Sequence, residues 1–268
     1  MAAVLVDLDG VLYQGDAPIA GAVEALSWFR AQRVPLLFLT NTSSRPRCEV
    51  AAKVAAMGLT ITEREILSPA VAASAWLRSQ AVRRLALFVR EATKADFEGF
   101  EALPDDQESG ADAVIIGDLG ERWDFGLLNR AFRLLMSQPP PLLVALGMTR
   151  YWRASDGLRL DTGPFVAALR EATGIEPAVM GKPARPFFEM ALQRLRRPAS
   201  ETLMLGDDIR GDIQGAQAAG IRGILVRTGK FRPADLEVGV EPLAVLDSVA
   251  DLPRWWRGRY GGGTAASE

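Results

Sequence analysis

Histidine is absent from all 268 residues of the chain. That excludes a Ser-His-Asp or Cys-His engine and the usual histidine-bearing zinc sites. Acid–base work must then fall to carboxylates, lysine, tyrosine or water, and a hard cation held by oxygen ligands becomes the natural metal. Cysteine is nearly absent too. Cys48 stands alone, which excludes an internal disulfide framework and favours a reducing compartment. No uninterrupted apolar stretch is long enough to span a bilayer, and no basic leader precedes the first apolar run, so a cytoplasmic protein is expected. The formal charge of -2 and a sequence pI near 5.5 supply no basic field for nucleic acid or an acidic membrane. The expected partner is a small molecule, with no nucleic acid and no membrane involved. With 49% hydrophobic and 24% charged residues, disorder is excluded and the length suffices for one large domain or two sharing a cleft.

The run Ala3-Val4-Leu5-Val6-Asp7-Leu8-Asp9-Gly10 is an apolar strand without alternation, ending in two aspartates and a glycine. Such a strand reads as the buried centre of a parallel sheet, where ligands sit outside the carboxyl ends. Strand and helix signals alternate from there. Gly21 to Gln32 is helical in spacing, Val34 to Leu39 is a second strand, and Arg47 to Met57 and Pro69 to Ser79 are helices, the last with Ser68 as N-cap. After residue 177 the same grammar resumes: a helix over Pro186 to Leu195, a strand over Thr202 to Leu205, a helix over Asp212 to Ala219, and a strand over Gly223 to Val226. This pattern predicts an α/β fold with a doubly wound, Rossmann-like parallel sheet. The stretch between has its own strands (Leu85 to Val89, Ala113 to Ile116, Leu142 to Leu146) and its own helix (Phe125 to Met136). An inserted α/β cap domain over 81–177 is therefore expected, with the core domain formed by 1–80 and 178–260. The Gly261-Gly262-Gly263 start of 261–268 predicts a disordered tail.

Three clusters match the needs of a cleft at the first strand. Thr40-Asn41 ends the second strand, Gly181-Lys182-Pro183 opens a later helix, and Gly206-Asp207-Asp208 through Asp212 ends a third strand. Together they supply a carboxylate nucleophile, a hydroxyl and an amide for phosphate oxygens, a fixed cation and acidic metal ligands. Singly they are ordinary. Asp-x-Asp-Gly is a common turn, Thr-Asn a common cap, and a lone lysine a common surface residue. The specificity lies in their order along the chain.

In that order the residues resemble the four motifs of the haloacid-dehalogenase-like (HAD) hydrolase superfamily, and the long middle segment resembles the cap of its NagD-like subclass, IIA. Gly147 to Thr173, with Arg150-Tyr151-Trp152, Asp156-Gly157-Leu158 and Gly163-Pro164-Phe165, resembles the branch of phospholysine phosphohistidine inorganic pyrophosphate phosphatases. The resemblance implies a phosphatase acting on a small phosphorylated substrate, a phosphomonoester, phosphoramidate or pyrophosphate. Asp7 would attack phosphorus and form an aspartyl-phosphate, while Asp9 would protonate the leaving oxygen and later accept a proton from water. A carboxylic acid ordinarily loses its proton well below neutrality, so that second role asks for burial or neighbouring acids. Magnesium would be held by Asp7, the Asp9 carbonyl and Asp207, with Asp208 or Asp212 as further ligands, direct or through water. Lys182 and Thr40 would neutralise the phosphoryl oxygens, assisted by Asn41 and by backbone amides near Leu8 and Asp9. The cap would choose the leaving group, with Arg150 and Tyr151 as candidates, and a homodimer through the cap is implied.

A phosphoacceptor receiver module also keeps a strand-end aspartate, a hydroxyl and a lysine. Asp9, the insertion and the length argue against it. A catalytically silent phosphate-binding regulatory protein is the other alternative, although no motif is missing. A dehalogenase would need no acid at Asp9.

Overall fold

The computed structural model describes residues 2–154 and 156–260, so the expectation for 261–268 lies outside the described residues. The chain forms two compact units, one from Met1–Thr40, Ala51–Ile66 and Ala191–Glu268, the other from Asn41–Val50 and Leu67–Met190. Among the described residues, no helix is long and apolar enough to cross a membrane.

The first unit is built on the expected parallel sheet. Its strand order is Ala244–Leu246, Arg222–Val226, Thr202–Gly206, Ala3–Asp7, Leu36–Leu39 and Ile66–Leu67. Ala3–Asp7 sits in the interior, with Ala3 opposite Thr202 on one side and Val4 opposite Leu36 on the other, both pairings parallel. All five of its residues are buried, as the unalternating apolar run requires. One helix, Ala22–Ala31, turns Ala22, Ala25, Leu26 and Phe29 inward, and Trp256 of the Leu252–Tyr260 helix meets Phe29 edge to face at 5.1 Å. Ile209 and Ile213 pack with Leu225.

The second unit has its own five-stranded sheet, ordered Ala178–Val179, Leu142–Ala145, Ala113–Ile116, Arg84–Phe88 and Glu101–Ala102, all neighbours parallel. Phe125–Leu135 and Thr162–Thr173 contribute Ala131, Leu134, Val166 and Leu169 to its core. Asp124 caps the first of these helices by accepting from the Leu127 N–H at 2.7 Å. The whole of 81–177 falls within this unit, which also takes in Asn41–Val50, 67–80 and 178–190. Tyr151–Ala154 and Gly157–Leu160 pair as an antiparallel hairpin. Tyr151 and Trp152 are 56% and 43% exposed on it.

Two local expectations are corrected. The helix expected over Asp212–Ala219 begins earlier, as a widened turn over Ile209–Gln214 that runs into Gly215–Ala218. Asp208 starts it, its Oδ1 accepting from the Arg210 and Gly211 N–H groups at 3.0 and 2.8 Å. The first strand stops at Asp7, because the chain turns back at Leu8, whose carbonyl accepts from the Leu12 N–H at 2.9 Å. Asp7 and Asp9 therefore do not share one extended strand.

Candidate active site

Three neighbouring strands of the first unit deliver the expected groups at their carboxyl ends: Asp7, Thr40 directly after Leu39, and Asp207 directly after Gly206. The chain leaves Ala3–Asp7 for one side of the sheet and returns on the other, so the crevice of an open parallel sheet opens there. Asp7, Asp207 and Asp212 each present a carboxylate oxygen within 4.8 Å of the others, and all three residues are buried. Their donors are all hard oxygens, which fits magnesium or calcium and fits no thiolate- or imidazole-seeking metal.

Each carboxylate is held by backbone. The Leu8 N–H donates to Asp7 Oδ1 at 2.8 Å and also reaches the Leu39 carbonyl at 3.2 Å. The expected phosphate-binding amide at Leu8 is thus engaged in orienting Asp7. The Asp208 N–H donates to Asp212 Oδ2 at 3.1 Å, which the widened turn makes possible by bringing residue 212 back over the strand end. Gly206 leaves the space, since a Cβ there would overlap the Asp212 carboxylate. Asp212 thereby joins the cluster. Asp208 faces otherwise: its carboxylate caps the turn and lies 3.6 Å from the Lys230 ammonium.

The Asp207 clasp had no counterpart in the sequence reading. Gly10 and Gly229 both take positive φ, +85° and +61°, and a Cβ on either would overlap Asp207 Oδ2. The Lys230 N–H donates to the same oxygen at 2.7 Å, and the Thr228 hydroxyl donates to the Gly10 carbonyl. The available signal was Thr228-Gly229-Lys230 itself, a glycine turn just past the Arg222–Val226 strand and hence at a fourth carboxyl end.

Asp9 is exposed. It makes an isolated bridge to Tyr13. Thr40 is 3% exposed and Lys182 is 8% exposed. Lys182 and Asn41 belong to the second unit, where the Asn41 side chain is bonded to the Lys182 main chain.

Comparison with known proteins agrees with this arrangement. Residues 4–101 match the family model of haloacid dehalogenase-like hydrolases, and residues 179–252 match one described as HAD-hydrolase-like. The human phospholysine phosphohistidine inorganic pyrophosphate phosphatase is 39% identical over 236 residues, covering 87% of this chain and 85% of that protein. The structure of a glycerol phosphate phosphatase from Mycobacterium tuberculosis in complex with magnesium is 31% identical with a TM-score of 0.79, covering 94% of this chain and 76% of that one. NagD from E. coli K-12, 24% identical over 94% of this chain and 98% of its own, shares the fold with a TM-score of 0.84. With the acidic cluster at the switch point of its parallel sheet, the chain belongs to the haloacid dehalogenase-like hydrolase superfamily and is a hydrolase of the phosphatase class.

Proposed function

We propose that the chain hydrolyses a small phosphorylated substrate with magnesium, through an aspartyl-phosphate on Asp7. The observation that carries this reading is the buried Asp7, Asp207 and Asp212 trio, with Asp7 at the end of an interior strand and oriented by the Leu8 N–H. An Asp7 oxygen attacks phosphorus, the bond from phosphorus to the leaving oxygen, or to nitrogen in a phosphoramidate, breaks, and Asp9 gives that atom its proton. Water then attacks the acyl phosphate, Asp9 takes the water's proton, and the Asp7 carboxylate is regenerated with phosphate released. Thr40 and Lys182 balance the charge on the phosphoryl oxygens. Asp7, Asp207, Asp212 and the Asp9 carbonyl are the residues that would hold magnesium, which when bound offsets negative charge on the phosphoryl group and the carboxylates.

The relatives' names support a substrate class. The human relative's name specifies phospholysine, phosphohistidine and pyrophosphate, and the mycobacterial one glycerol phosphate. The proposed class is accordingly a phosphomonoester, phosphoramidate or pyrophosphate of modest size. Phosphate release from p-nitrophenyl phosphate, with magnesium and with EDTA, tests the activity, and kcat/KM across phosphorylated metabolites, pyrophosphate and phospho-amino acids ranks the leaving groups. Metal-dependent release is expected. No release from any of these compounds in the presence of magnesium overturns the proposal.

A further inference from the structure

Asn41 follows Thr40 in the chain, and its side-chain amide is spent on a peptide segment far away in sequence. Its Oδ1 accepts from the Lys182 N–H at 2.8 Å and its Nδ2 donates to the Lys182 carbonyl at 2.9 Å. One side chain thus makes the two bonds that a neighbouring strand would make, and fixes the peptide planes on both sides of the Lys182 Cα. Gly181 keeps the approach open: a Cβ there would lie 3.2 Å from Asn41 Oδ1 and 2.9 Å from the Leu146 carbonyl oxygen. The segment carrying Asn41 is itself anchored. The buried Thr93 hydroxyl donates to the Ser43 carbonyl at 3.1 Å, and the Arg47 N–H and guanidinium both meet the buried Asp96 carboxylate, at 3.4 and 3.5 Å.

From this geometry we propose that Asn41 is a positioning residue, which governs phosphate recognition by fixing the backbone from which Lys182 projects and does not itself bind the phosphoryl group. The inference rests on the proposed role of Lys182 in balancing phosphoryl charge. A long, rotamer-rich lysine side chain delivers its ammonium reproducibly only if its root is immobile, and a displacement of about 1 Å at a reacting group costs on the order of a hundredfold. The ordinary expectation for an amide beside a phosphate-binding threonine is direct contact with phosphate. The two roles give opposite results in a double-mutant cycle.

The experiment compares Asn41→Ala, Lys182→Ala and the double variant, reading kcat and KM for p-nitrophenyl phosphate with magnesium, the inhibition constant of inorganic phosphate, and the unfolding temperature. Asn41→Ala is expected to lower kcat/KM and weaken phosphate inhibition about ten- to a hundredfold, and to change each by less than about twofold once Lys182 is already alanine. Gly181→Ala, which presses on the same contact from the other side, should repeat the pattern and carries the test if Asn41→Ala does not fold. Equal factors for Asn41→Ala in both backgrounds overturn the positioning role while leaving Lys182 its own. A Lys182→Ala protein with unchanged kinetics overturns the role of Lys182 and the inference together.

Discussion

Replacing Gly229 with alanine probes the clasp on Asp207. At φ +61° an L-residue sits in the left-handed region, at a cost of roughly 1–2 kcal/mol relative to glycine. The added Cβ also overlaps Asp207 Oδ2 and comes 2.5 Å from the Gly10 Cα, neither of which is the loose end of a flexible side chain. Forcing a methyl group into packing of that kind costs about 1–3 kcal/mol more. A total of about 2–5 kcal/mol corresponds to a fall in unfolding temperature of very roughly 5–15 °C for a chain of this size. Relief requires the loop or the carboxylate to move, and either breaks the 2.7 Å bond from the Lys230 N–H. Half-saturation by magnesium in the phosphatase assay should therefore rise as stability falls. Gly239 provides the control, since it has φ +77° but nothing within 4 Å of the Cβ position. Gly239→Ala should lose only the backbone contribution, about 1–2 kcal/mol, and keep the magnesium response of the parent. Thermal unfolding in EDTA and a magnesium titration of phosphate release measure both quantities. Equal unfolding temperatures and equal magnesium half-saturation for the two variants would refute the clasp.

The chemistry predicts a sharp contrast between the two acids of the first motif: Asp7→Asn abolishes phosphate release and Asp9→Asn slows it severely, and turnover untouched by Asp7→Asn removes the nucleophile. Three carboxylates within 4.8 Å repel one another, so a divalent cation should raise the unfolding temperature. At a hundred times its dissociation constant, the gain is about 2.7 kcal/mol. Asp212→Asn should weaken cation binding at least tenfold and remove about 1.4 kcal/mol of that gain, while an identical shift in the variant places Asp212 outside the metal site. Glu65 offers a test of stability against pH. Burial pushes its carboxyl up, but bonds from Arg30 and from the Thr62 N–H and hydroxyl outweigh burial and leave it below the usual range. A depressed carboxylate contributes stability above its unfolded-state pKa and loses it as pH falls through the folded one. Glu65→Gln should cost about 1–2 kcal/mol near neutrality, discounted for partial exposure, with the gap closing in acid. A gap that persists at low pH would show that the pair contributes packing alone.

Much of the first unit was legible because its signals are local. The apolar run Ala3–Val6, the stop at Thr40 and the acids after Gly206 each announce a strand end in a few consecutive residues. In the second unit, Ser68 before Pro69 marks a helix start in the same local way, and the Ser68 hydroxyl does accept from the Val71 N–H. What was not legible depends on partners distant along the chain. Nothing around Asn41 reveals that its amide would pair with a backbone 141 residues later. The clasp of Gly10 and Gly229 on Asp207 joins three separate loops. The early start of the helix at Ile209 was missed for a different reason. Asp207-Asp208 reads as loop or metal ligand, and only the structure divides the work, with Asp208 capping the turn and Asp212 carried to the carboxylate cluster.

The strap of residues 41–50 has a practical meaning for recombination between relatives. Its partition with 67–190 places a seam of the molecule at the peptide bond between Thr40 and Asn41. A chimaera that transplants only 81–177 from a homologue would pair a foreign Thr93 and Asp96 with a native Ser43 and Arg47. A graft that carries 41–50 along with 67–190 keeps donor and acceptor from one parent. The crossover that keeps these contacts within one parent therefore lies between Thr40 and Asn41, where no one cutting by sequence blocks would place it.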